Sequence, residues 1–309
     1  MAIKLGIIGL GKIAQDQHLP CVAKNSDFEL AAVVSSRGGY KDVPAFKTPG
    51  ELYASGIKLD AVSLCMPPEP RFAIARDALR AGLHLLLEKP PAPTVGEMVA
   101  LADLGTAAKK VIFTTWHSQY NAAVDEAKRR LLGKTVTKLH VSWKEDVKHW
   151  HPGQQWIWEP GGFGVFDPGI NAFSIVTKIM PQPIFVAESV LQVPSNCATP
   201  IAAKIRFKPS QGGDADLTAE LDWRQTGQQS WDIAVWTSDG MALSLKRGGT
   251  ELHVDGKPAT AAPMNEYEAI YAHFAALLKA GTSHVDVAPL QLVADCFMLG
   301  RQVAAEAFV

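Results

Sequence analysis

Several things are scarce in this 309-residue chain, and each scarcity closes off a class of function. Only four cysteines occur, Cys21, Cys65, Cys197 and Cys296, scattered and without a C-x-x-C spacing. That pattern argues against a disulfide frame or a metal site and fits reduced thiols in the cytoplasm. No apolar run approaches the ~18–20 residues that cross a bilayer. The opening MAIKLGIIGLG is too short in its apolar stretch for a signal peptide, and it runs into glycines rather than a cleavage site. Charge of one sign is lacking too, since 30 basic and 31 acidic residues leave a net -1. Neither a nucleic acid nor a membrane surface is therefore expected as a partner. Internal repeats and low-complexity tracts are absent.

What is present is patterned apolar sequence, 47% of the chain, over a length that suits two domains. IKLGIIGLG, DFELAAVVSS, LDAVSLCMPP, LHLLLEKP and VIFTTWHSQ read as strands. RFAIARDALRAG and TVGEMVALADLGTAAKK, set between them, read as helices. Strictly alternating strands and helices predict an α/β fold, a Rossmann doubly wound parallel sheet, over residues 1–121. From 122 onward the texture changes. After one helix (AAVDEAKRRLLG), alternating segments from TKLHVSWKED to ELHVDG are separated by Gly, Pro and Asp turns. These predict an α+β domain over 122–309 with a mostly antiparallel open sheet, one side of it solvated or facing a partner. Two helical patterns, 266–281 and 289–308, end the chain, and the C-terminal helix is a candidate to pack back on the first domain.

Gly9-Leu10-Gly11-Lys12-Ile13-Ala14 is a G-x-G-x-x-A turn between a strand and a helix. Gly9 permits the tight turn, Gly11 lets backbone N–H groups approach a pyrophosphate, and Ala14 permits close helix–sheet packing. An NAD enzyme usually carries an acid at the end of the second strand, for the ribose hydroxyls. Ser35, Ser36 and Arg37 stand there instead, which suits a 2′-phosphate. NADP is the expected cofactor, with NAD also accepted. Cys65, Pro67, Glu88 and Lys89 are assigned to the cofactor as well, because ligands of open α/β sheets bind beyond the strands' carboxyl ends.

Glu88-Lys89-Pro90-Pro91 is an odd way to finish a leucine-rich strand, and one of its X–Pro bonds is a candidate for cis. Together with the glycine turn and the pair Asp167 and Asn171, E-K-P resembles the glucose-fructose oxidoreductase/inositol dehydrogenase family along the whole chain. WKEDVKHWHPGQQWIWEPGGFGVFDPGIN (143–171) is similar to bacterial aldose 1-dehydrogenases acting on L-arabinose or D-galactose. The resemblance implies that Lys89 lies near the nicotinamide and the reacting carbon, and that Asp167 and Asn171 complete a catalytic set. Many family members have His where Asn171 stands. Asn exchanges no proton near neutral pH, so the base is another group. Either Lys89 takes the proton, or it stays charged while Asp167 or water accepts it.

A sugar substrate also fits the aromatics, since five of eight tryptophans (116, 143, 150, 156, 158) fall between 116 and 158. Pyranose C–H faces pack on indoles, and the hydroxyl rim needs fixed polar partners. Trp150, Trp158, Glu88, His117, Glu145 and His151 are the candidate substrate-binding residues. The expected reaction is oxidation of an aldopyranose (L-arabinose, D-galactose or D-fucose) at C1, in a homodimer or other homo-oligomer. A cyclitol dehydrogenase of the same family and a non-catalytic NADP or sugar sensor are the alternatives.

Overall fold

The apolar runs of the first 120 residues all become strands of one sheet. A computed structural model describes residues 2–262 and 265–309, and among these it forms two compact units. In the first, β1 (Ile3–Ile8), β2 (Phe28–Val34), β3 (Ala45–Phe46), β4 (Ala61–Leu64), β5 (His84–Leu87) and β6 (Ile112–Thr114) pair in the order β3-β2-β1-β4-β5-β6. Every neighbouring pair is parallel. Strand order reverses between β1 and β4, the crevice where open α/β sheets take ligands. Helices cover both faces, so Leu85, Leu86 and Leu87 are all fully buried, which explains a continuous leucine run rather than an alternating one. Two covering helices, Pro49–Ala54 and Val95–Ala108, start with T-x-x-E. Thr48 and Thr94 each accept a hydrogen bond at 3.2 Å from the backbone N–H of Glu51 and Glu97.

The first unit runs to His117 and then takes back Asn265–Val287, with the helix Glu266–Ala280. The second domain, expected over 122–309 with its C-terminal helix as a candidate to pack back on the first, is interrupted by this return. The reason is packing: Tyr271 and Phe274 of that helix lie against Phe28 at ring centroid distances of 5.1 and 6.0 Å. The helix that joins the first unit is the penultimate one; the last, Ala288–Met298, belongs to the second unit.

The second unit holds β7 (Val136–Lys144), β8 (Ile184–Pro194), β9 (Ala202–Pro209), β10 (Asp216–Asp222), β11 (Ser230–Thr237), β12 (Ala242–Lys246), β13 (Glu251–Val254), β14 (Lys257–Ala261) and β15 (Gly300–Ala305). They form one sheet in the order β14-β13-β12-β11-β7-β10-β9-β8-β15. Six of its eight pairs are antiparallel; β7–β10 and β8–β15 are parallel. Alternation is strict where it matters. Leu139, Val141, Ile205, Phe207, Leu217, Leu221, Ile233 and Val235 are buried on one face. The other face carries cross-strand charge pairs such as Lys144–Glu220 at 2.6 Å. Among the described residues no helix is long and apolar enough to cross a membrane.

One local reading changes, and one helix start shows its packing. The helical pattern over 289–308 stops at Met298, and 300–305 is the edge strand β15. A side chain at Gly300 would stand 2.5 Å from the Cys296 carbonyl and 2.7 Å from Leu191, so the chain turns into the sheet there. D-P-G at 167–169 opens the helix Phe166–Ile179. Pro168 sits in its first turn, where a missing N–H costs nothing, and Asp167 lies at the positive end of the helix dipole. Gly169 lets this helix approach β10, because a Cβ there would stand 2.6 Å from Leu221 Cδ1.

Gly169→Ala is accordingly expected to destabilise the protein by about 1–3 kcal/mol through overpacking, less a helix-propensity gain of about 0.5–1 kcal/mol. Chemical denaturation checks this, and an unchanged or raised midpoint would contradict the close approach.

Candidate active site

The first unit places its chemistry at the carboxyl ends of its strands. β1 ends in Gly9, with φ +94°, where an added Cβ would lie 2.8 Å from the backbone nitrogen of Met66. Gly11 has open space around it instead. Lys12 and Ile13 start the following helix and Ala14 is buried beneath it; residues 14–18 form a π turn, a feature common at functional sites. A tight glycine turn, an open second glycine and a helix N-terminus together fit a dinucleotide pyrophosphate. Ser35, Ser36 and Arg37 follow β2, with Arg37 exposed and its backbone N–H donating to Ser35 Oγ at 3.1 Å. After β4, Cys65 is buried and Pro67 exposed. Lys12 is exposed and pairs with Asp16.

Glu88 and Lys89 follow β5 and part company. Glu88 turns inward and is only 3% exposed. Its Oε1 meets His18 Nε2 at 3.0 Å and accepts from Tyr267 Oη at 2.9 Å, while Oε2 accepts from the Lys89 backbone N–H at 3.0 Å. Burial alone would raise its pKa, but the hydrogen bond and charge of His18, then His117 and Tyr267, outweigh that and hold Glu88 at about 2. His18 has no exposed surface, and its Nδ1 meets Tyr271 Oη at 2.8 Å. Burial opposes a charge there too, yet Cys65, Tyr271 and Glu88 prevail and lift His18 well above the ordinary histidine range. The carboxylate is therefore engaged by the protein's own groups. Arg71, also buried, donates to the carbonyls of Met66, Glu88 and Pro90 and so braces the turn from behind. The Lys89–Pro90 peptide bond is cis.

β6 leads to His117, whose Nδ1 lies 2.8 Å from Glu266 Oε2. Burial works against its charged form, but Glu266 and then Glu88 outweigh burial and raise the His117 pKa. His117 also stacks on Tyr267, with centroids 6.0 Å apart.

The second unit gathers a separate polar cluster. Glu145 follows β7 and is buried, and each of its oxygens accepts an indole N–H: Oε1 from Trp223 at 3.3 Å, Oε2 from Trp231 at 2.7 Å. His151 stands between two carboxylates, with Nε2 3.5 Å from Glu145 Oε1 and Nδ1 3.7 Å from Asp167 Oδ2. Asp167 and Asn171 sit one turn apart on the helix Phe166–Ile179, and Asn171 Oδ1 is buried with no partner among the described residues. Trp150 is 45% exposed, its ring at 5.7 Å and 78° to Trp231 and its Nε1 bonded to Gln229 Oε1 at 2.5 Å. Trp158 is buried between Trp223 and Phe308, at centroid distances of 5.1 and 4.7 Å. Nor do the clustered tryptophans form one wall, since Trp116 is core of the first unit and Trp143 core of the second.

His18, Arg71, Tyr267, Tyr271, Trp223 and Trp231 are members that sequence reading missed. Trp223 and Trp231 lie 78 and 86 residues from Glu145, and only the register of β10 and β11 against β7 brings them back. Among the described residues no group of three His, Cys, Asp or Glu is arranged to hold a metal ion.

Three comparisons give this geometry relatives. Residues 3–115 match the profile of GFO/IDH/MocA, an oxidoreductase family with an NAD-binding Rossmann fold. Galactose 1-dehydrogenase of Pseudomonas fluorescens is 44% identical over 306 residues, covering 99% of this chain and 98% of that protein. The crystal structure of D-galactose-1-dehydrogenase from Rhizobium etli superposes with a TM-score of 0.95 at 49% identity, over 100% of this chain and 98% of the other. A 3-ketoreductase from Actinomadura kijaniata shares the fold at a TM-score of 0.81 but only 17% identity, over 99% of this chain and 100% of its own. Both units are thus matched along their full length, and the chain belongs to the GFO/IDH/MocA family of oxidoreductases with an NAD-binding Rossmann fold.

Proposed function

We propose that this oxidoreductase converts an aldopyranose at C1 to its lactone, preferring NADP to NAD, with D-galactose, L-arabinose and D-fucose as substrates. The observation that carries this reading is the 44% identity, end to end, with a galactose 1-dehydrogenase. The second unit supports it chemically. Asn171 Oδ1 is an acceptor without a donor, which a sugar hydroxyl would supply. Glu145, fixed by two indole N–H groups, retains lone pairs for a further hydroxyl. Trp150 offers a half-exposed indole on which C–H groups pack.

When bound at the Gly9–Ala14 turn, the nicotinamide cofactor supplies the acceptor for the C1 hydride. The chain does the rest: Lys89 takes the proton of the anomeric hydroxyl, while Asp167 and Asn171 hold the sugar in register. His117 and His151, both tied to carboxylates, serve as hydroxyl partners of fixed orientation. Arg37 with Ser35 and Ser36 receives the ribose 2′-phosphate. D-galactose and L-arabinose differ only in the substituent at C5, worth about 1–3 kcal/mol in a pocket, so both are turned over. The open sheet face, on which Phe185 and Trp236 are exposed, is the surface of a homodimer.

Reduced nicotinamide should accumulate when the purified protein is mixed with NADP and D-galactose; no signal with any aldose and either cofactor would overturn the assignment. Lys89→Ala should cost about 10²- to 10⁴-fold in kcat while the dinucleotide still binds. Gly9→Ala should abolish binding of reduced cofactor, read by its fluorescence, in a chain that remains folded. Arg37→Ala should cut the preference for NADP over NAD by about tenfold, one lost charge-assisted contact of about 1.5–3 kcal/mol at most.

A further inference from the structure

We propose that His18 is a positioning residue for Lys89: its buried ion pair with Glu88 turns that carboxylate inward, so that Glu88 fixes the Lys89 backbone and the lysine, rather than the carboxylate, serves the reaction. This rests on the reading of Lys89 as the group that handles the proton. The geometry is closed on every side. His18 belongs to the helix that follows the glycine turn, Glu88 ends β5, and Tyr267 and Tyr271 come from the helix Glu266–Ala280. All four are buried. With both ring nitrogens protonated, His18 donates through Nε2 to Glu88 at 3.0 Å and through Nδ1 to Tyr271 Oη at 2.8 Å. Tyr271 is left to donate to Ser63 Oγ at 3.3 Å, and Tyr267 donates to Glu88 at 2.9 Å.

The reason for a charge here is electrostatic. A buried carboxylate is tolerated only when paired and hydrogen-bonded, and leaving one partner behind is far costlier than removing both. Without the imidazolium, Glu88 would take up a proton or swing toward water. Protonation would weaken the 3.0 Å bond from the Lys89 backbone, and a swing toward water would break it and lose the aim of the side chain with it. Because His18 stands one turn past Ala14, the same pair also ties the cofactor turn to the end of β5, the two places that must be in register for hydride and proton to leave together. Charged and titratable groups around the pair are Cys21 and Cys65 beside His18, Arg71 and His117 beside Glu88, and the two tyrosines.

His18→Gln keeps a donor toward Glu88 but removes the charge. In the full-length enzyme with NADP and D-galactose it should lower kcat about 10- to 100-fold, the cost of a misplaced group, while KM for the sugar and affinity for reduced cofactor stay within about threefold. Its kcat should also acquire an acid limb near neutral pH, as the uncompensated Glu88 takes up a proton, and adding Glu88→Gln should remove that limb. Tyr267→Phe, which keeps the ring and so the fold, should lower kcat several-fold in the same direction. A folded His18→Gln with wild-type kcat and pH profile would overturn the proposal. So would a loss of kcat without an acid limb that the double substitution fully restores, since that would make the pair a matter of stability alone.

Thermal midpoints read the pair without any substrate. His18 has a raised pKa in the folded state, so its stabilising share is complete below its unfolded value near 6.5 and fades as pH climbs through the folded one. Glu88 has a depressed pKa, so its share is complete above 4.5 and fades as pH falls toward about 2. Wild-type protein should therefore lose stability on the alkaline side, and His18→Gln should show less of that loss. Identical alkaline slopes would refute the ion pair; a wild type inert toward every sugar but with the expected slopes would refute the proposed reaction alone.

Discussion

A carboxylate sealed inside a protein must be answered by hydrogen-bond donors, by a positive charge or by both, and the first unit is organised around one such demand. Glu88 is answered by His18, Tyr267 and the backbone N–H of Lys89, drawn from a helix near the N-terminus, a helix near the C-terminus and the strand end itself. Arg71 meets a second demand, for the carbonyls that the turn at residues 88–90 leaves unpaired. His18 and Arg71 hold opposite features of one turn, the acid and the backbone. Replacing either by an apolar residue would strand a polar group in the core, where hydrogen-bonding loss is most costly.

The second unit solves a similar problem with neutral donors. Glu145 is held by two indole N–H groups, so it is fixed without being neutralised by a formal cation. His151 then lies within 4 Å of two acids, at 3.5 Å from Glu145 and 3.7 Å from Asp167. The contrast suits different tasks. A committed carboxylate sets the direction of its neighbour; one restrained only by weak donors keeps lone pairs for a ligand.

The fold was readable in advance wherever one physical rule dominated. Parallel strands buried on both faces leave continuous apolar runs, so LLL at 85–87 announced β5 unaided. The glycine turn was legible because Gly9 has no substitute at φ +94° against the Met66 backbone. Legibility failed where distant pairing decides. GRQVAA has no strong preference, and becomes β15 because β8 offers an edge and Gly300 has no room for a side chain. D-P-G suits both a turn and the first turn of a helix, so spacing alone does not place Asp167. The site was half visible. Lys89, Asp167, Asn171, Glu145 and His151 stand in suggestive motifs, whereas His18, Trp223 and Trp231 are ordinary letters until topology assembles them. Glu88 stands in a motif too, but its sequence neighbours say nothing about which way a side chain turns at a strand end.

The return of residues 265–287 to the first unit has a consequence for the protein's birth. His18 and Tyr271 are separated by 253 residues, which at about 5–20 residues per second is roughly 13–50 s of synthesis. All six strands of the first sheet are made early in that interval, yet the helix carrying Tyr267 and Tyr271 is still unmade. The second sheet waits as well, for β15 at its edge. Neither unit can close while the ribosome is still on the stretch between them, so a nascent chain stalled there holds an unanswered acid and uncovered leucines.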